Sequence, residues 1–123
     1  MRKEEIVIDG EPVAKARPRF TRTGQVYTPE KSRRYERLVH DTFKGKPFQG
    51  AIYVKIEAYL KKPKINKSPF PTKKPDIDNI VKSILDGLNG KAWEDDKQVV
   101  KLTASKYWSD SPRVEVMIKE VVE

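Results

Sequence analysis

Between Ala51 and Leu60 the apolar residues Ile52, Val54, Ile56, Ala58 and Leu60 alternate with Tyr53, Lys55, Glu57 and Tyr59. A period of two predicts a strand with one buried face. The period changes further on, where Ile77, Ile80, Val81, Ile84, Leu85 and Leu88 recur at helical spacing and predict an amphipathic helix that stops near Asn89-Gly90. Upstream, the β-branched run Ile6-Val7-Ile8 within Glu4 to Asp9 ends at the turn signal Asp9-Gly10 and reads as a buried opening strand. Thr28-Pro29-Glu30 reads as a helix start, with Thr28 as N-cap and Pro29 at the first helical position. Tyr35, Leu38, Val39, Thr42 and Phe43 carry that helix to Lys44-Gly45. Gln98 to Tyr107 and Arg113 to Val121 read as two strands, and the turn residues Ser109-Asp110-Ser111-Pro112 between them predict a hairpin. These elements predict one α+β domain spanning residues 1–123.

One stretch fits neither period. Lys61 to Pro75 holds four prolines and six lysines, with Ile65 and Phe70 as its apolar residues, and predicts a long mobile basic loop at 61–75. Charge sharpens this picture. The net charge is +8, and residues 1–75 carry 19 Lys and Arg against 8 Asp and Glu, whereas residues 76–123 carry 7 against 10. A basic segment followed by a carboxylate-rich one suits a grip on a polyanion next to a place for cations, although a solvated basic surface accounts for the charge equally well. The absence of cysteine excludes a disulfide framework, a thiolate zinc site and a cysteine nucleophile. No stretch approaches the roughly 18 apolar residues of a membrane span, and the first residues lack the apolar run of a signal peptide. The expectation is a soluble cytoplasmic protein with no membrane partner.

The candidate chemistry begins where the loop meets the second helix. In Lys74-Pro75-Asp76-Ile77-Asp78-Asn79 two carboxylates stand two residues apart, and in extended chain they project to one side, where they can share a hard cation. Helix capping would explain one of these aspartates as well, but two less readily. Lys82, four residues after Asp78, either points its ammonium at the same place or forms an ordinary i,i+4 ion pair. Asp86 falls opposite the apolar stripe and is expected in solvent. A second acidic cluster, Trp93-Glu94-Asp95-Asp96, precedes a strand, and mutual repulsion among its carboxylates leaves at least one facing inward or toward a cation. An acidic surface turn is the alternative.

Together these residues resemble a known family. Asp76-Ile77-Asp78-Asn79, Lys82, Asp86-Gly87-Leu88 and Trp93-Glu94-Asp95-Asp96-Lys97-Gln98-Val99 are similar, in order, to the signature of the RusA family of Holliday junction resolvases. Gly10 to Arg19 resembles that family's opening, while the 61–73 stretch departs from it. The resemblance implies an α+β scaffold of a mixed sheet with two main helices. It also implies a Mg²⁺-dependent endonuclease, with Mn²⁺ able to substitute, that resolves four-way DNA junctions as a homodimer in recombination and repair. Carried over, it makes Asp76, Asp78 and Asp96 the metal-binding catalytic carboxylates, with Asp95 a further candidate, and Lys82 the catalytic lysine. Mg²⁺ on carboxylates supplies an activated water, charge neutralisation and leaving-group assistance.

Contacts to DNA are expected from Lys15, Arg17, Arg19 and Arg22 on one side and from Lys67, Lys73 and Lys74 on the other, with Phe70 placed to stack on an unpaired base or to anchor the loop. Two other readings stay open: a non-catalytic basic DNA-binding protein, and a nuclease for flaps, forks or other branched DNA.

Overall fold

The structure is a computed structural model that describes residues 1–17, 19–65 and 68–122. The elements in chain order are β1 (Lys3–Asp9), β2 (Arg19–Phe20), β3 (Val26–Tyr27), α1 (Glu30–Thr42), β4 (Ile52–Lys61), α2 (Ile77–Leu88), β5 (Val99–Ser109) and β6 (Arg113–Glu120). Four strands form one mixed sheet in the order β1-β6-β4-β5, with β4 and β5 parallel and the other pairs antiparallel. β2 and β3 make a separate short ribbon closed by a turn in which Gly24 takes φ 84°.

The alternation along β4 sorts its residues as expected: Ile52, Val54, Ile56, Ala58 and Leu60 are all buried. The first four of them meet Val114, Val116 and Ile118 of β6 and, from the helices, Tyr35, Val39, Ile80, Ile84 and Leu88. Both helices cover this one face of the sheet. The α2 pattern is realised over the residues the period marked, because its apolar stripe has the sheet to lie on. Among the described residues no helix is long and apolar enough to cross a membrane.

Three expectations need correction. The predicted hairpin of the last two strands does not exist: β4 lies between β5 and β6, since α2 returns the chain parallel to β4 before β6 enters on its other side. β1 is an edge strand with Ile8 buried and Val7 exposed, so it is buried on one side only. The first helix is capped at Pro29 with no side-chain capping bond, one residue later than the Thr28 cap predicted, because proline supplies the helical φ but the threonine hydroxyl does not reach a free amide.

α1 and α2 approach each other closely at Gly87. A Cβ built there would stand 2.7 Å from Val39 Cβ and 2.9 Å from the Glu36 carbonyl oxygen. Gly87→Ala therefore loses about 1–3 kcal/mol in denaturant unfolding, since the overpacking outweighs the helix propensity gained. An unchanged unfolding midpoint would show that the two helices separate freely.

Candidate active site

The chain reaches α2 through an extended segment. Asp76 occupies the N-cap position of α2 at φ −69° and ψ 142°, yet its side chain makes no capping bond, and Asp78 sits in the first turn. Both carboxylates are exposed, as is Lys82 one turn further. None of the three side chains has a hydrogen-bond or ion-pair partner among the described residues. Capping thus accounts for neither aspartate, although both lie at the positive end of the helix dipole. A groove of about 510 Å³ opens beside Asp76, lined among others by Ala16, Lys31, Ser32, Lys74 and Asn79.

The second acidic cluster is built as a locked turn. Trp93 is fully buried and donates from Nε1 to Asp96 Oδ1 at 2.7 Å. Asp95 caps the 3₁₀ turn Asp96–Gln98 by accepting from the Lys97 amide at 2.9 Å. Gln98 closes it, accepting from the Glu94 amide and donating to the carbonyls of Phe48 and Gly50. One carboxylate of the run therefore faces inward, Asp96, while Asp95 has a capping task and Glu94 is exposed. Partial burial pushes the Asp96 carboxyl above the usual carboxylate range; the Trp93 hydrogen bond opposes this, and the charges of Asp86 and Asp95 add to it.

Asp86 is not the solvent-facing residue expected from its place on the helical wheel. Its Oδ2 lies 3.2 Å from Lys15 Nζ, which also meets Glu36 Oε2 at 2.6 Å. The Lys15 side chain is only 15% exposed, so it serves as the shared counter-ion of two carboxylates and is not offered to a phosphate. Burial works against that ammonium, but its bonds to Glu36 and Asp86 prevail and hold it above the usual lysine value. The same segment straps α2 through Lys15 N to Asn79 O and Ser83 Oγ to Val13 O, and reaches α1 through Ala16 N to Ser32 Oγ.

Of the predicted ligands, Asp76 and Asp78 stand at the start of α2, whereas Asp95 and Asp96 lie in the 3₁₀ turn after it. Asp78, Lys82 and Asp86 follow at four-residue intervals on one flank, so Asp86, the neighbour whose charge Asp96 feels, stands roughly 12 Å of helix rise from Asp78. Among the described residues no three acidic or histidine side chains stand close enough to hold an ion between them. The structure puts Asp76 and Asp78 in the N-cap and first turn of α2 and holds Asp96 against Trp93. Of the residues expected to meet DNA, Arg17, Arg19, Arg22, Lys73, Lys74 and Phe70 are exposed. Lys67 lies outside the described residues.

A family model described as endodeoxyribonuclease RusA matches residues 9–119, which takes in the strap, both helices and the strands β4, β5 and nearly all of β6, but only the last residue of β1. The chain belongs to the RusA endodeoxyribonuclease family. It is also 39% identical to the uncharacterized protein YqaN of Bacillus subtilis strain 168, over 95% of this chain and 96% of that protein. RusA membership makes the protein a nuclease of DNA. Two features of this RusA chain were missed from the sequence: the engagement of Asp86 by Lys15, and Lys106 on β5, whose ammonium donates to main-chain carbonyls of the loop that leads to Asp76. A single lysine in a strand carries no pattern, and no signal in the sequence pointed to it.

Proposed function

We propose that the protein is a Mg²⁺-dependent, structure-selective endonuclease that resolves four-way DNA junctions by paired nicks in recombination and repair, with Mn²⁺ able to replace Mg²⁺. The observation that carries this reading is the Asp76 and Asp78 pair at the start of α2, one turn from Lys82, all three side chains without a partner among the described residues, in a chain of the RusA family. The donor set fits the metal. Mg²⁺ takes oxygen ligands and is commonly held by one or two carboxylates plus substrate phosphates, so two aspartates suffice without a closed protein cage. Asp76 and Asp78 would hold the ion, with Asp96, in the 3₁₀ turn that follows α2, as the third candidate carboxylate. When bound, the metal supplies Lewis-acid stabilisation of the phosphate and an activated water.

The chain's own groups do the rest. Lys82 is placed to balance charge that develops on the scissile phosphate, and Lys31 and Lys74, at the groove beside Asp76, draw the backbone toward the carboxylates. Arg17, Arg19, Arg22 and Lys73 extend that basic surface, and exposed Phe70 offers a stacking face for a base freed at the branch point. With one site per chain, two symmetric nicks need a homodimer. Exposed Ile77 on α2 and Val100 and Leu102 on the edge strand β5 are apolar positions that a second copy would cover. The terminal strand β6 is unsuited to that role, because Val114, Val116 and Ile118 are buried in the core.

The test is incubation of the purified protein with a synthetic four-way junction, a linear duplex and a flap, each with Mg²⁺ and with a chelator. Cleavage of the junction alone, lost on chelation, is expected. Equal cutting of linear duplex would remove junction selectivity, equal cutting of the flap would broaden the substrate to branched DNA, and binding without cutting would leave a DNA-binding protein.

A further inference from the structure

We infer that Lys106 is a positioning residue that latches the basic loop onto β5 and thereby fixes the direction in which Asp76 presents its carboxylate. The inference rests on the proposed function for the role of Asp76, and on independent geometry for the latch.

The β5 register places Lys106 beside Ala58 and Trp108 beside Leu60, two residues whose side chains are buried on the helix-covered face of the sheet. Lys106 and Trp108 thus project to the core side of an edge strand, where apolar residues are the rule. A lysine there must find partners for its ammonium. It finds none among carboxylates of the described residues. Its Nζ donates instead to the Lys73 carbonyl at 2.9 Å and the Pro75 carbonyl at 3.0 Å. Trp108 completes the arrangement, donating from Nε1 to the Ser68 carbonyl at 3.1 Å. The segment from 68 to 75 therefore lies over β5 and is tied to it at three carbonyls, with Pro71 buried beneath.

The bond to Pro75 matters most for the site. Proline has a nearly fixed φ and no amide hydrogen, so holding its carbonyl sets the plane of the peptide that leads into Asp76. Asp76 has no capping bond of its own to hold its side chain, so its direction depends on the backbone behind it. Lys73 and Lys74 lie in the same few residues, and the ties at Lys73 and Pro75 hold a stretch that faces DNA and the stretch that delivers a ligand as one unit. Lys106 touches neither substrate nor the reacting atoms in this scheme. It acts through the loop.

Amide hydrogen exchange of the wild type and of Lys106→Met, without metal or DNA, reads the latch directly. Exchange in residues 72–79 is expected to quicken at least tenfold, while β1 and β6 stay as protected as in the wild type. Unchanged exchange at 72–79 overturns the latch, whatever the enzyme cuts. Should Lys106→Met fail to fold, Lys106→Gln, which keeps a neutral donor with a shorter reach, takes its place. The second readout is the Mg²⁺ concentration for half-maximal junction cleavage at saturating DNA. It should rise about tenfold or more, as when an outer partner of a ligand is removed, with junction affinity unchanged and with recovery in Lys106→Arg. A faster-exchanging loop with an unchanged Mg²⁺ requirement overturns the positioning role. A wild type that cuts no junction at all refutes the proposed function, and exchange then decides the latch alone.

Discussion

Asp76→Asn abolishes strand cleavage while leaving a four-way junction bound as tightly as before, or more tightly. The substitution changes one oxygen to an amide nitrogen, so shape is kept and an anionic oxygen ligand is lost. Because Asp76 is exposed and its side chain caps nothing, the fold has no bond to lose. A negative charge also disappears beside Lys31 and Lys74, where a phosphate backbone would lie, and this favours binding. A gel-shift titration beside a denaturing gel of the cut strands measures both effects. Cutting at the normal rate would show that Asp76 is not a ligand.

Trp93 is the position where a single change does most to the fold. It is fully buried in the core and lies against the chain at Phe48 and Asn89. Trp93→Ala should cost about 3–5 kcal/mol, a large part of the roughly 5–15 kcal/mol that holds a typical domain together. Trp93→Phe separates bulk from chemistry, since it keeps most of the apolar volume and removes the indole N–H that Asp96 accepts. That bond stabilises the ionised carboxylate, so its loss raises further a pKa that partial burial and the charges of Asp86 and Asp95 already hold high. If ionised Asp96 serves cleavage, the acid limb of the pH–rate profile moves to higher pH in Trp93→Phe. Profiles that superimpose would separate Asp96 from the reaction.

Local pattern is legible in this sequence and long-range pairing is not. α2 and β4 were legible because each buries one face, and burial of one face imposes a period on the sequence. The order of strands leaves no such trace. Ser109 to Pro112 does form a turn, but a turn fixes a change of direction and not the neighbour, and β4 took the place beside β6. At the site, Asp76 and Asp78 were legible from their spacing and the family's motif. The ion pairs of Lys15 leave no trace in the sequence, because its partners Glu36 and Asp86 lie 21 and 71 residues away. Nor does the sequence mark Lys106, whose acceptors are carbonyls, which every residue has.

The strand order has a consequence for synthesis. β6 is the last of the described strands to be made, yet it sits inside the sheet between β1 and β4. Until it emerges from the ribosome, β1 has no neighbour and β4 lacks one of its two, so the nascent chain carries unpaired strand edges until β6 is made. The basic residues crowded into the first 75 positions give that unfinished chain a mutual repulsion against pairing with its neighbours on a polysome.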